Sequence, residues 1–253
     1  MRANLLLLGI AFFALNLSSC KKETEDLKLE DLSSYIPLKT GNYITYRLDS
    51  TVFTNFGRDT EIHSYQEKHV VDALFTDNLG RPAYRIFQFI RDTNGTGPWK
   101  PSGSYSVTVQ PQTIEVNENN LRTIKLAAPL KLDFSWKGNR YLPTEPYSSL
   151  YTFSNDDYME DWDFMYSAKD ETLVLKNHVV DSVLTVTSVN ESLNVPMTST
   201  AAIAYINYSV DKYGKSIGLV YQEMEMWEYQ PNPSGPTGYK TGFGIKRSMI
   251  DHN

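Results

Sequence analysis

Alternating polar and apolar residues recur at short intervals along this chain and constrain its fold more than any other feature. Near the start of the alternation, Ile44, Tyr46 and Leu48 share one face, whereas Thr45 and Arg47 share the other. A period of two residues is typical of a β-strand with one buried face. The aromatic content, with 17 Tyr, 11 Phe and 4 Trp, also favours pleated sheet over helix.

Further strand-like segments follow, separated by turn residues. They are residues 61–74, 82–92, 105–109, 111–116, 121–126, 158–166, 179–189, 219–229 and 239–250. Residues 201–213 fit either period, because their alanines favour a helix while Ile203, Tyr205 and Tyr208 suit both. This spacing indicates antiparallel hairpins and not βαβ units. The sequence therefore predicts a mainly β, antiparallel fold: a large curved sheet or an open β-barrel with few short helices.

The last two segments form a predicted hairpin. A loop rich in proline and glycine, residues 231–238, separates strand 219–229 from strand 239–250. Such a loop turns the chain back on itself, and a strand on each side of it pairs with the other. We therefore expect the C-terminal strand to lie inside the sheet.

The first residues have the composition of an export signal. Arg2 supplies a positive charge, and residues 5–15 form an apolar run that is shorter than the roughly 20 residues a membrane-spanning helix needs. Small polar residues then lead to Cys20, which is the only cysteine in the sequence. The alternatives are an ordinary signal peptide with an incidental cysteine and a buried N-terminal helix.

Leu17, Ser18, Ser19 and Cys20 resemble the bacterial lipobox, which is an aliphatic residue, two small residues and a cysteine. The resemblance implies cleavage after Ser19, a diacylglycerol on the Cys20 sulfur and a further acyl chain, such as palmitate, on its amine. Since each buried CH₂ contributes about 0.8 kcal/mol, two or three chains anchor a protein stably. We therefore predict residues 1–19 as a lipoprotein signal peptide and Cys20 as the lipidation site.

The segment after Cys20 is predicted to be a tether. Residues 21–26 are charged except for Thr24, and none of them is apolar. We therefore predict residues 20–34 to be a flexible, solvated linker. The charged run also resembles the acidic segment that marks many lipoproteins of Bacteroidota for the outer leaflet of the outer membrane. Strand-like alternation begins soon afterwards, and we predict one β-rich domain over residues 35–253.

Two other stretches carry a resemblance to a protein group. Residues 35–43 read YIPLKTGNY, and residues 217–221 read IGLVY. Together with the leader, they resemble a group of uncharacterised outer-membrane or surface lipoproteins of Bacteroidota. The resemblance implies a lipid-anchored location at the outer membrane, facing the periplasm or the cell surface, and it implies no catalytic residue.

The net charge of the chain argues against nucleic acid as a partner. The formal net charge is −6 at pH 7, and no basic block is present. An acidic chain of this kind argues against binding of nucleic acid. The sequence predicts a membrane contact through the lipid anchor, leaves a protein or glycan partner open, and points to no cofactor.

An acidic cluster is the best candidate for a metal site. It consists of Asp156, Asp157, Glu160, Asp161 and Asp163. Calcium takes six to eight oxygen ligands, several of them carboxylates. However, no EF-hand loop is present, and alternation puts the last two on a solvent face, so we predict no metal site.

No motif points to catalysis. The sequence lacks G-x-S-x-G, a P-loop, G-x-G-x-x-G and H-E-x-x-H. His63 and His69 would lie about 20 Å apart on a regular strand, too far to share a metal. A carboxylate pair for glycoside hydrolysis would meet only in space, so a hydrolase stays open as a third alternative.

Tryptophans offer a second hypothesis, that of a glycan site. Trp99 and Trp136 lie in loop-like contexts, where an exposed indole can stack on a sugar, although β proteins commonly bury such residues. The leading prediction is a non-enzymatic envelope lipoprotein with a binding or scaffolding role. The runner-up is a carrier of a hydrophobic or carbohydrate ligand in the concavity of the sheet.

Overall fold

The computed structural model describes residues 30–153, 158–232, 234–235 and 237–253. Within these residues the chain forms one 12-stranded sheet and two 3₁₀ turns, Leu32–Tyr35 and Met159–Asp161. The strands are β1 (Tyr43–Thr54), β2 (Asp59–Thr76), β3 (Pro82–Asp92), β4 (Lys100–Val109), β5 (Thr113–Glu118), β6 (Leu121–Ala127), β7 (Ser135–Lys137), β8 (Asp163–Val174), β9 (Val179–Leu193), β10 (Ala204–Gly214), β11 (Gly218–Gln230) and β12 (Tyr239–His252). No described helix is long and apolar enough to cross a membrane.

The sheet curls into a nearly closed barrel. Each strand pairs with its neighbour in the sequence, except that β6 and β7 form the two edges, and β1 pairs with β12. All of these pairings are antiparallel. The prediction of a mainly β, antiparallel fold is confirmed, and so is the C-terminal hairpin, in which Met226 of β11 stands opposite Phe243 of β12.

The seam between β6 and β7 is closed by a few individual hydrogen bonds. The Ile124 amide donates to the Gly138 carbonyl at 2.7 Å, and Trp136 Nε1 donates to the Ile124 carbonyl at 2.9 Å. The Tyr166 hydroxyl of β8 accepts from the Ala127 amide at 3.0 Å and donates to the Ala127 carbonyl at 2.6 Å. One backbone hydrogen bond and the side chains of Trp136 and Tyr166 thus take the place of the continuous ladder that joins the other strands.

The N-terminal segment fills one end of the barrel. Leu32 and Tyr35 are buried in the main core cluster, together with residues from β2, β3, β4, β5, β6, β8, β9 and β10. Nearby, the Glu30 carboxylate forms ion pairs with Lys169 and Lys215. Residues 20–29 of the predicted tether lie outside the described residues. Residues 30–34 do not form a tether, because Leu32 contributes apolar surface to the core.

The connection between β7 and β8 covers the other end. Its residues Leu142, Phe153 and Met159 form a second buried cluster with Met226 of β11 and Phe243 of β12. The barrel is therefore packed with apolar side chains at both ends, and its polar interior lies between them.

The structure adds to the predicted strands in three places. Residues 135–137, where the sequence predicts no strand, form β7 because they pair with β8, and β8 itself continues to Val174, beyond the predicted segment 158–166. Residues 100–103, which precede the predicted strand 105–109, begin β4. The ambiguous segment 201–213 resolves as β10 from Ala204 onward, because it pairs with β9 and β11 on its two sides.

Candidate functional site

A cavity of about 150 Å³ lies in the barrel, next to the N-terminal segment, and opens to solvent on one side. A cavity of this volume is large enough to bind benzene, and because it is open, a longer molecule can extend beyond it. Its wall comes from the N-terminal segment, from strands β1 to β6 and from β10 to β12. The residues that line it include Ile36, Pro37, Leu38, Ile44, Val71, Ile86, Val107, Val116, Ile217 and Leu219 on the apolar side and Tyr46, His69, Tyr105, Glu118, Lys125, Asp211, Gln222 and Arg247 on the polar side.

Strand alternation places the apolar wall. Val71 of β2, Ile86 of β3 and Val107 of β4 are buried and belong to the main core cluster. Ile36 and Leu38 of the N-terminal segment pack against the same cluster. The apolar side of the cavity is therefore continuous with the core, and the N-terminal segment supplies part of it.

A buried ion pair forms the centre of the polar side. Arg247 of β12 donates to both carboxylate oxygens of Glu67 of β2, with Nε–Oε2 at 2.6 Å and Nη2–Oε1 at 3.3 Å. Burial alone would raise the pKa of Glu67, but the Arg247 guanidinium and His69 lower it well below its ordinary value. Glu67 is therefore held in its charged form.

A second ion pair joins β6 to β10. Lys125 Nζ lies 2.9 Å from Asp211 Oδ2, and Asp211 also accepts from Gln222 Nε2 at 2.7 Å and from the Tyr213 hydroxyl at 3.3 Å. Burial, and then the charge of Asp211, raise the pKa of Tyr213. Because Gln222 also accepts a hydrogen bond from Arg247, it connects the two ion pairs.

His69 borders the cavity between two tyrosines. Its ring stands edge-on to Tyr46 and Tyr105, at centroid distances of 5.1 and 5.4 Å. Nδ1 lies 3.1 Å from the Tyr105 hydroxyl. Nε2 lies 3.2 Å from Glu67 Oε2, within ion-pair distance, although the two atoms are poorly aligned for a hydrogen bond.

Of the carboxylates on the cavity wall, that of Glu118 in β5 has the fewest hydrogen-bond and ion-pair partners. Its Oε1 accepts from Gln88 Nε2 at 2.7 Å. Among the described residues, no Lys, Arg or His nitrogen lies within ion-pair distance of it. The cavity thus combines two neutralised ion pairs with one carboxylate that has only a neutral partner.

The predicted glycan residues lie away from the cavity wall. Trp99 is half-buried, and the Arg91 guanidinium lies 4.2 Å from its ring centroid. Trp136 lies in a strand, not in the loop that the sequence suggested, and its ring packs among Phe134, Phe164 and Tyr166. The structure does not bring the two indoles together as a platform.

The acidic candidates are only partly described. Asp156, Asp157 and the lipidation site Cys20 lie outside the described residues. Glu160 and Asp161 belong to the second 3₁₀ turn, and Asp163 begins β8, where Lys137 Nζ lies 3.0 Å from its Oδ1. In the part of the chain that the structure describes, no three His, Cys, Asp or Glu side chains are grouped to hold a metal ion.

Sequence reasoning missed every charged residue of the cavity. The available signal was a charged residue on the apolar face of a strand: Arg247 shares its face with Phe243, Ile245 and Met249. A charge in that position is costly to bury without a partner. Such an interruption indicates a buried polar interior, although it does not name the partner strand.

Comparisons with known proteins establish no family for this chain. No family model matches it, and no curated protein matches it. A crystal structure of a Bacteroides fragilis protein with a YmcC-like fold, inferred to be exported, is similar at 9% sequence identity. That match covers 84% of this chain and 97% of the other chain, with a TM-score of 0.32. A likeness this distant supports no argument about function.

Proposed function

We propose that this protein is a lipid-anchored protein of the bacterial cell envelope that binds a small amphipathic molecule inside its barrel, without catalysing a reaction. The cavity is the observation that carries this proposal. It is concave, apolar on one side and furnished with a few convergent polar groups on the other, which is the usual composition of a small-molecule site.

The apolar wall favours a hydrophobic body over a carbohydrate. A sugar presents hydroxyl groups around its whole ring, and each one buried without a hydrogen bond is unfavourable. Ile36, Val71 and Val107 offer such hydroxyls no partner, whereas an alkyl chain would displace water from them favourably. The ligand class that fits is therefore a small amphiphile, of which the cavity holds a part about as large as benzene.

The polar groups support binding more than catalysis. The carboxylates of Glu67 and Asp211 are each engaged by a cation, and Gln222 joins the two pairs. A general acid or base needs a group that exchanges protons near neutral pH. Arg247 holds the pKa of Glu67 far below that range, although burial opposes it, so Glu67 serves to hold the interior together.

Binding can be tested with n-octanol, a neutral amphiphile of suitable size. We expect saturable binding in titration calorimetry and a rise in the melting temperature. Leu38→Trp should fill part of the cavity from its rim and weaken binding about tenfold or more. Val179→Trp, at a residue that is 66% exposed, is the matched control and should bind octanol as the parent does. Absence of binding, or binding that Leu38→Trp leaves unchanged, would contradict the proposal.

The anchor is tested separately. Cys20→Ala should release the protein from the membrane fraction and abolish its labelling by a fatty-acid probe. Ser19→Ala keeps a small residue before the cysteine and should be labelled like the parent. Equal labelling of the Cys20→Ala variant would rule out lipidation at this residue and leave the cavity proposal standing.

A further inference from the structure

The interior has an imbalance of charge. Around the cavity and its immediate partners, three carboxylates, those of Glu67, Asp211 and Glu118, face two cations, those of Arg247 and Lys125. Among the Asp, Glu, Lys and Arg side chains counted here, the described structure therefore has one more carboxylate than it has cations. Since the wall beside it is apolar, the excess charge is weakly screened.

Glu118 is the one of these three carboxylates that has no cation paired with it. Glu67 and Asp211 each form an ion pair, whereas Glu118 accepts one hydrogen bond from the uncharged Gln88. Glu118 is partly exposed, and a carboxylate in such a position is stabilised by a cation that approaches it closely. Arg247 is committed to Glu67 and Gln222, so it acts on Glu118 only over a distance.

The surroundings of Glu118 suit a ligand cation. Tyr46 and Tyr105 line the same cavity, and aromatic rings attract cations through their faces. His69 lines the same cavity, but its Nε2 already faces Glu67 Oε2 at 3.2 Å, so it offers no acceptor to a cation. A cationic head beside Glu118 would instead meet a carboxylate whose one hydrogen-bond donor, Gln88, is neutral.

We infer that the cavity selects a small monocationic amphiphile, with an ammonium group beside Glu118 and an apolar body against Ile36, Val71 and Val107. This inference rests on the proposed function, since it assigns the chemical class of the ligand to the same cavity. The positive head would compensate the carboxylate of Glu118, and the volume of the cavity limits the part of the molecule held inside to about the size of benzene.

The test compares three probes that each have eight carbon atoms in a straight chain, at pH 7: octylamine, n-octanol and octanoate. We expect octylamine to bind about tenfold more tightly than octanol, and octanoate to bind most weakly. Glu118→Gln preserves the shape of the side chain and the acceptor for Gln88, so it should bring octylamine down to the affinity of octanol. Octanol itself should bind this variant unchanged.

Glu191→Gln is the matched control, because it removes an equal charge from an exposed position on β9. It should leave all three affinities as in the parent, and circular dichroism should show every variant folded. Equal binding of the three probes, or an amine preference that survives Glu118→Gln, would overturn the inference while the proposed function stands. Failure of all three probes to bind would overturn both.

Discussion

Glu67 and Arg247 form the most deeply placed ion pair of the cavity wall. The two residues are 180 positions apart in the sequence, and each is desolvated by the surrounding barrel. Removing one member of a buried pair leaves the other charge without compensation, which typically destabilises a protein by about 3–5 kcal/mol. The stability of the barrel therefore depends on the presence of both charges of this pair.

We predict that the pair makes stability depend on acid pH. The pKa of Glu67 is lowered on folding from its ordinary value of 4.5, so its contribution is complete above that value and declines as the pH falls below it. Urea unfolding between pH 7 and pH 3 should show this decline. Glu67→Gln should be less stable at pH 7 and have a shallower acid slope. Glu191→Gln should reproduce the parent curve, and an unchanged slope in Glu67→Gln would refute the assignment.

At this scale the sequence predicts strand faces but not partners. Arg247 could be recognised as a charge among Phe243, Ile245 and Met249, which share its face. Its pairing with Glu67 could not, because β12 reaches β2 only across β1 in the assembled sheet. The same holds for Lys125 and Asp211, whose strands meet across the barrel interior.

Strand β12 is the element that closes the barrel at the termini. It pairs with β1 on one side and with β11 on the other. It also supplies Phe243 to one buried cluster, Met249 to another and Arg247 to the cavity. Its loss would expose two strand edges and uncover apolar surface at the same time.

We therefore predict that truncation before Tyr239 unfolds the protein. Each large apolar side chain that loses its burial contributes roughly 1.5–3 kcal/mol, and a whole domain is stable by about 5–15 kcal/mol. Deletion of Ser234 and Gly235 from the preceding loop is the control and should cost little. Thermal melting distinguishes the two variants. A truncated chain that melts cooperatively near the parent temperature would show that β12 is dispensable.

At the seam between β6 and β7, a single side chain makes hydrogen bonds that a neighbouring strand would otherwise make. Tyr166→Phe would leave the Ala127 amide and carbonyl without their partner, and each unsatisfied buried group costs about 1–3 kcal/mol. We expect a loss of roughly 2–4 kcal/mol in urea unfolding. Tyr158→Phe, at a residue that is 73% exposed, should be neutral. Equal stability of the two variants would mean that the seam is held by other contacts.

Element prediction succeeded for every strand except β7, which is the shortest. Strands such as β2 and β9 carry enough alternation to be read directly. Strand β7 has three residues, and its pairing with β8 defines it more than its own pattern does. The seam was equally inaccessible, because nothing in the sequence near Tyr166 indicates Ala127 as its partner.

For the whole molecule, the N-terminal segment is part of the packed structure. Leu32 is 3% exposed, and the Ser34 and Ile36 amides donate to the Asp31 and Ser33 carbonyls. We predict that hydrogen exchange shows these two amides to be protected. Leu32→Ala should remove the protection of Ser34 and Ile36. Rapid exchange of both amides in the parent protein would contradict this packing.

The sequence predicted the antiparallel architecture and offered a ligand in its concavity as an alternative. It predicted neither the burial of the N-terminal segment nor the residues that line the cavity. Alternation indicates how many strands form, yet the curvature that brings β6 to β7 arises from all of their pairings together. Leu32 and Tyr35 gave no alternating pattern, because they occupy a 3₁₀ turn and not a strand. An interior space is a property of the assembled wall, and no local segment encodes it.

The pairing of β1 with β12 has a consequence for how the chain acquires its fold. Tyr43 and Asp251, joined by a hydrogen bond across this pair, are 208 residues apart. The final closure therefore has to wait until nearly the whole polypeptide is present, whether it emerges from a ribosome or from an export channel. Proteins dominated by such distant contacts fold slowly, in milliseconds to seconds or longer. During that interval the unpaired edge of β1 is open to other chains, so the time of greatest risk of aggregation lies before the last strand arrives.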